Sequence, residues 1–73
     1  MKIQELLIKI ENEEIKDGRI FHGGDFFWKL IVIDKKLYLI NELSKSLVLF
    51  DSDDIGSCLK HDYDFYEYKK VLE

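Results

Sequence analysis

The chain has 73 residues and a mass of 8.7 kDa. It therefore leaves room for a single domain, 1–73, because domains usually run to about 100 to 150 residues. Hydrophobic residues make up 47% of the sequence, which is enough to close a core. The single cysteine excludes an internal disulfide framework and favours a reducing compartment. No apolar run approaches the roughly 20 residues of a membrane span, so we expect a cytoplasmic protein with no membrane partner.

The first predicted element is an amphipathic helix. Apolar residues recur with the spacing i, i+3, i+4 and i+7, and they are Ile3, Leu6, Leu7 and Ile10. This spacing gives a helix one apolar stripe. The helix should end between Asn12 and Gly18, since Asn and Gly are the residue types that accept a left-handed cap.

An antiparallel meander of three strands is predicted next. Residues 20–22 and 26–33 flank Gly23-Gly24-Asp25, and paired glycines between apolar runs indicate a hairpin. A second hairpin should join 26–33 to 37–40 through the polar residues 34–36. The middle strand is expected to be the longest and most apolar of the three.

The last third of the sequence predicts a strand, a short helix and a closing strand. Residues 47–50 form an apolar run, and Asp51 or Ser52 can cap a helix that continues to Leu59. Residues 62–68 alternate with a period of two, which places Tyr63 and Phe65 on one face and Tyr66 and Tyr68 on the other. The predicted fold is α+β: an N-terminal helix packed on a small curled antiparallel sheet of three to five strands, with a short helix before the last strand.

Two metal sites can be imagined from the sequence, and neither is expected. Cys58 and His61 have a C-x-x-H spacing that His22 and Asp25 would have to complete, but structural zinc sites usually use four Cys or His ligands. Residues 51–62 superficially resemble a calcium loop. Ile55, however, stands where an oxygen ligand is required, and an Asp-rich helix start explains the same acids.

Catalysis is not expected either. The sequence has no G-x-S-x-G elbow and no third member for a Cys58/His61 pair. It also has no glycine-rich phosphate loop of the P-loop or dinucleotide type. We therefore predict a non-enzymatic protein with no cofactor, no metal and no catalytic residue.

Negative charge is concentrated in one stretch. Residues 1–50 carry eight acidic and eight basic side chains, whereas residues 51–67 carry six acidic side chains against Lys60 alone. Direct nucleic-acid binding is disfavoured, because it relies on a basic footprint. Such a stretch is most often a solvated face that keeps a protein soluble. The alternative is an acidic surface with neighbouring tyrosines that occupies the basic groove of a larger protein.

Both ends of the sequence resemble a group of short acidic proteins encoded by phages and prophages of Gram-positive bacteria. The resemblance rests on residues 1–14, which include Leu6-Leu7-Ile8-Lys9-Ile10-Glu11-Asn12, and on residues 58–67, which begin Cys58-Leu59-Lys60-His61. The group has a glycine where this chain has Glu13. The resemblance implies a phage context, in which small acidic proteins such as anti-CRISPR proteins inhibit host defence by binding a larger protein. Some anti-CRISPR proteins combine a helix with a three-stranded antiparallel sheet.

These observations predict an inhibitor of a host defence or nucleic-acid-handling protein, acting in the cytoplasm of an infected or lysogenic bacterium. Its predicted partner-binding residues are Asp51, Asp53, Asp54, Asp62, Tyr63, Asp64, Tyr66, Glu67 and Tyr68. One alternative is an oligomeric sponge for a defence-signalling nucleotide, with Arg19, Lys29 and the Gly23-Gly24 turn near the phosphate. Another is a structural or assembly module. Because aromatics occupy both faces of the last strand, the N-terminal helix or a second copy must cover one face, and a homodimer is one alternative.

Overall fold

A computed structural model gives the fold of the chain and describes residues 1–23 and 29–68. In chain order the elements are α1 (Ile3–Glu11), β1 (Ile20–Gly23), β2 (Lys29–Ile33), β3 (Lys36–Asn41), β4 (Ser46–Leu49), α2 (Ser52–His61) and β5 (Phe65–Glu67). The predicted α+β class, with a helix at the start and a short helix before the last strand, is confirmed. Neither of these two helices is long and apolar enough to cross a membrane.

The five strands form one antiparallel sheet in the order β4-β3-β2-β1-β5, and the sheet is open. Consecutive strands β1 to β4 are neighbours, as in a meander. The chain then crosses the sheet through α2, and β5 pairs with β1 at the far side. The predicted meander is confirmed in its pairing. The hairpin turn was expected at Gly23-Gly24-Asp25, but Gly23 is the last residue of β1 and pairs with Phe65. The rest of that turn and the predicted strand residues 26–28 lie outside the described residues.

The core lies between one face of the sheet and the two helices. Residues of β1 and β2 alternate between buried and half-buried, since successive side chains point to opposite faces. The buried strand residues include Phe21, Leu30, Val32, Leu37 and Phe65. The stripe predicted for α1 supplies Ile3, Leu6 and Ile10 to this core, and α2 supplies Cys58.

The end of α1 falls inside the predicted range, but the residue in the left-handed conformation differs from the expectation. Asn12 is the C-cap with φ −83°, and Glu13 follows with φ +62°. The N–H of Glu13 donates to Ile10 O, and the N–H of Glu14 donates to Lys9 O. These two bonds form a Schellman motif, which usually has glycine at the left-handed position. Glu13 stands where the phage group has glycine.

Several predicted boundaries are shifted by one or more residues. The strand predicted at 47–50 is Ser46–Leu49, and α2 continues to His61 instead of Leu59. The β2–β3 connection is shorter than residues 34–36, because Lys36 already pairs with Ile33. Asp34 and Lys35 form this tight turn with positive φ at both positions, as a two-residue hairpin loop requires. The closing strand is also shorter than predicted, because Asp62 ends α2 in a left-handed conformation.

Candidate functional site: the outer face of the sheet

The face of the sheet opposite the helices is apolar and aromatic, and we call it the outer face. Residues paired across neighbouring strands share a face, so the registers define its members. Its apolar and aromatic members are Ile20, Ile31, Ile33, Tyr38, Ile40, Leu47, Leu49, Tyr66 and Tyr68. Both helices of the described chain pack on the opposite face. The outer face is therefore a candidate surface for contact with another macromolecule.

A cluster of rings and one cation occupies the end of the outer face near β5, and we call it the aromatic corner. The His22 ring lies 5.9 Å from the Tyr66 ring and 6.0 Å from the Tyr68 ring, centre to centre. The ammonium group of Lys29 lies 4.6 Å from the centre of the Tyr68 ring. Tyr66 is 50% exposed. Exposed tyrosines on a sheet provide rigid contact area with a polar tip, which suits protein recognition.

Lys29 also forms an ion pair with Glu42, a residue outside the aromatic corner. Its Nζ lies 2.9 Å from a carboxylate oxygen of Glu42, which follows β3. Hydrogen bonding to Glu42 raises the pKa of Lys29, and hydrogen bonding to Lys29 lowers the pKa of Glu42. The charge of this lysine is therefore already balanced within the chain.

The first group of predicted acidic residues lies at the start of α2. The Asp54 N–H donates to Asp51 Oδ1 at 3.1 Å, and the Asp51 N–H donates to Asp54 Oδ2 at 3.2 Å. This reciprocal pair is a capping box, so two of the carboxylates stabilise the helix start, as expected for Asp51. Asp53 is exposed and lies outside the capping box.

The second group of predicted acidic residues lies at the other end of α2 and is neutralised by a lysine of the N-terminal segment. Lys2 Nζ lies 3.2 Å from Asp62 and 3.1 Å from Asp64. The Asp64 carboxylate is the main cause of a raised pKa for Lys2. Glu67, on β5, pairs with Arg19. Three of the predicted carboxylates, Asp62, Asp64 and Glu67, thus form ion pairs within the chain.

The acidic segment 51–67 does not form one continuous surface. The two groups lie at opposite ends of the ten-residue α2, which at 1.5 Å per residue separates them by about 15 Å. Glu67 is directly opposite Phe21 in the sheet register and so lies on the helix-covered side. The predicted set of carboxylates is therefore divided among three places.

The tyrosines of the predicted set also separate. Tyr63 is half-buried against the core, and its ring stacks on His61 at 5.4 Å. Tyr66 and Tyr68 share the outer face, on the side opposite Phe65, as the two-residue period predicted. Of the predicted site residues, Tyr66 and Tyr68 are therefore the ones that lie on the apolar outer face.

Within residues 1–23 and 29–68, no group of three or more His, Cys, Asp or Glu side chains is arranged to hold a metal ion. Cys58 is 1% exposed in the core, and burial raises the pKa of its thiol. His61 stacks on Tyr63 at the end of α2, and His22 lies on the outer face, across the sheet from Cys58. Asp25, the fourth imagined ligand, lies outside the described residues.

Two shallow hollows open on the described surface. One, of about 290 Å³, lies between the end of α1 and the β2–β3 turn. The other, of about 400 Å³, lies beside the β3–β4 turn and is lined by Ile40, Glu42 and Leu47 among others. Neither is lined by Cys58 or a histidine.

The residues considered for a nucleotide do not converge on an unpaired positive site in the described chain. Arg19 pairs with Glu67, and Lys29 pairs with Glu42. Both cations would have to leave these carboxylates to receive a phosphate. Gly24, part of the proposed turn, lies outside the described residues.

Sequence reasoning missed most of the outer face. It selected Tyr66 and Tyr68 but not Ile31, Tyr38 or Ile40. The available signal was that β2 and β3 have apolar residues at nearly every position instead of alternating with polar ones.

Comparisons of the chain with protein-family models, with curated proteins and with solved structures found no match.

Proposed function

We propose that this chain is a non-enzymatic binding protein that inhibits a larger protein of a bacterial host, and that it binds through the outer face of its sheet. The observation that carries the proposal is the extent of that face. It continues over all five strands. Leu47, Leu49, Tyr66 and Tyr68 are exposed at its two ends, and Ile20, Ile31, Tyr38 and Ile40 between them are half-buried. The sequence resemblance to short phage proteins supplies the context. The proposed target is a defence or nucleic-acid-handling protein in the cytoplasm of an infected or lysogenic cell.

The composition of the outer face supports protein recognition. Contiguous apolar surface on a small soluble protein is commonly an interaction site. Three tyrosines, Tyr38, Tyr66 and Tyr68, are spread along the face, and tyrosine is enriched among the residues that dominate binding energy. The aromatic corner adds His22 and Lys29. Because Glu42 balances the charge of Lys29, this region offers polar groups beside the rings without an unbalanced lysine charge.

The acidic residues have a smaller part in this proposal than in the sequence-based expectation. A surface that imitates nucleic acid needs carboxylates available to basic residues of the partner. Asp51 and Asp54 cap α2, while Asp62, Asp64 and Glu67 are paired with Lys2 or Arg19. Asp53 is the remaining predicted carboxylate outside these contacts, within the part of the chain that the structure describes. We therefore propose apolar and aromatic contacts as the main source of affinity.

The experiment is affinity capture from a lysate of a Gram-positive bacterium with wild-type protein and two charge-introducing variants. Tyr66→Lys places a cation on the outer face, whereas Leu59→Lys makes the same change at an equally exposed residue of α2 (50% and 49% exposed). We expect the same host protein to be retained by wild type and by Leu59→Lys and to be lost with Tyr66→Lys. Its activity should then be inhibited by purified wild-type chain in a dose-dependent assay.

A third variant, Asp53→Lys, separates the two sources of affinity. It reverses an exposed charge while leaving the capping box intact. Unchanged binding of the captured protein is expected from an outer-face interface, and a large loss would favour the acidic surface instead. Retention of the same host protein by Tyr66→Lys would exclude the outer face. A rise in melting temperature with cyclic nucleotides would favour the sponge, since a ligand at 100 times its Kd stabilises by about 2.7 kcal/mol.

A further inference from the structure

The two edges of the sheet differ in how their peptide groups are used. At the β5 edge, the backbone nitrogen of Met1 donates to Phe65 O at 2.7 Å, and the Phe65 N–H donates to Met1 O at 2.6 Å. An isolated antiparallel β-bridge between Lys2 and Asp64 extends this backbone pairing along the β5 edge. At the other edge, β4 pairs with β3 on one side, and no element of residues 1–23 and 29–68 pairs with its second side.

The peptide groups directed at the open edge of β4 can be assigned from the ladder. The Phe50 N–H donates to Leu37 O at 2.9 Å, so this directly opposed pair is hydrogen-bonded. Antiparallel ladders alternate hydrogen-bonded and non-bonded pairs. Val48 therefore bonds to β3 through Leu39, and the N–H and C=O groups of Leu47 and Leu49 point to the open edge.

The side chains of β4 are unusually apolar for an open edge. Eight large hydrophobic side chains are exposed among the described residues, and four of them lie in the β3–β4 hairpin: Leu43, Leu47, Val48 and Leu49. Open edges are normally protected by charges, proline or a bulge within the strand. Val48 is 50% exposed although it lies on the helix side of the sheet, so the helices do not extend over β4.

We infer that β4 pairs with β4 of a second copy, antiparallel, about a two-fold axis at Val48. In this register Leu47 is opposite Leu49 of the second copy, and each such pair exchanges both N–H···O bonds that point to the open edge. Directly opposed residues share a face, so the outer faces of the two copies become continuous. Lys45 and Asp51 flank the strand, and each is placed opposite the other in the second copy. A one-residue shift, with the axis between Leu47 and Val48, would join an outer face to a helix-covered face.

The interface is small, so the expected dimer is concentration-dependent. Four strand residues per copy bury less area than the roughly 1,200 to 2,000 Å² of standard stable interfaces. The dimer is independent of the proposed inhibitory function. Tyr66 lies four strands away from β4 in the sheet order, about 19 Å at 4.8 Å per strand, so Tyr66→Lys should leave the dimer intact.

The first experiment is sedimentation equilibrium over a concentration series. Wild type should move from one to two times the mass of the single chain as concentration rises. Val48→Lys should remain monomeric, because it places two ammonium groups opposite each other on the axis. Ile8→Lys, an exposed apolar position on α1, is the matched control and should dimerise like wild type. Circular dichroism checks that each variant is folded.

A second experiment tests the register. The directly opposed residues of a non-bonded antiparallel pair have Cα atoms about 4.5 Å apart, within the 4.4–6.8 Å of disulfides. Mild oxidation of Val48→Cys should give a covalent dimer as the main product, whereas Ile8→Cys should stay mostly monomeric. The native Cys58 is buried and does not compete.

Three results would overturn the inference. They are a wild-type chain that is monomeric throughout the series, a Val48→Lys variant that associates like wild type, and a Val48→Cys variant that crosslinks no faster than Ile8→Cys. Association that Tyr66→Lys abolishes and Val48→Lys does not would place the contact on the outer face instead of the β4 edge.

Discussion

The ammonium group of Lys29 lies over the ring of Tyr68, 4.6 Å from its centre. The same nitrogen is 2.9 Å from the carboxylate of Glu42. A cation held between a ring and a carboxylate fixes a long side chain that would otherwise be mobile at the surface. The contact links the end of β3 to the end of β5 across the outer face and gives the aromatic corner a defined shape.

The ion pair predicts the acid titration of Glu42. Lys29 lowers the pKa of Glu42 in the folded chain. The pair therefore stabilises the fold at pH values above the ordinary glutamate pKa of about 4.3. This contribution is lost as the pH falls through the folded pKa. In Lys29→Met, an NMR titration of the side-chain carboxyl should show the pKa of Glu42 rising towards its ordinary value.

Lys45→Met is the matched control for this titration. Lys45 also lowers the pKa of Glu42, but it is the weakest cause and acts through charge alone. Its removal should therefore change the pKa less than removal of Lys29. A larger change in Lys45→Met would show that the contact with Lys29 does not persist in solution.

The capping box at the start of α2 predicts a difference between neighbouring aspartates. Asp51→Ala removes the acceptor for the Asp54 N–H and should lower the free energy of unfolding by about 1 kcal/mol. Asp53→Ala should cost less, because only its favourable interaction with the helix dipole is lost. Urea denaturation of the two variants measures this difference, and equal losses would contradict the capping role.

The left-handed residue after α1 predicts a stabilising change. Glu13→Gly should raise the free energy of unfolding by about 1 kcal/mol, because glycine adopts φ +62° without the penalty of a Cβ. Gly18→Ala is the reverse test: Gly18 has φ +91°, so alanine there should be destabilising. If Glu13→Gly is neutral or destabilising in thermal denaturation, the Schellman motif at Glu13 is not populated.

The buried thiol predicts protection from modification. Cys58 is 1% exposed, and burial raises its pKa, so the reactive thiolate is disfavoured in the folded chain. A thiol reagent should react only as denaturant opens the core, with a midpoint that matches the loss of circular dichroism. Cys58→Ser should cost about 1 to 3 kcal/mol, because it buries a hydroxyl among apolar groups. Rapid labelling of the native protein would show that Cys58 is accessible.

Local features of the fold were predictable because they depend on neighbouring residues. The apolar stripe of α1, the Asp51 cap and the opposite faces of Phe65 and Tyr66 follow from periods and short-range hydrogen bonds. Glu13 was missed as the left-handed residue because its side chain has no intrinsic preference for positive φ. The partners of Asp62, Asp64 and Glu67 were also missed, since Lys2 and Arg19 are distant in sequence and only the folded chain brings them close.

Residue spacing and turn chemistry act over a few positions, so the amino-acid sequence was enough to predict the α+β class, the apolar stripe of α1 and the capped start of α2. The distribution of charge and of apolar surface depended on the folded chain. Strand order placed β4 at an open edge, and the pairing of β5 with β1 brought Tyr66 and Tyr68 beside His22. Long-range pairing depends on which packing of the whole chain buries the most apolar area, and no single segment determines that packing.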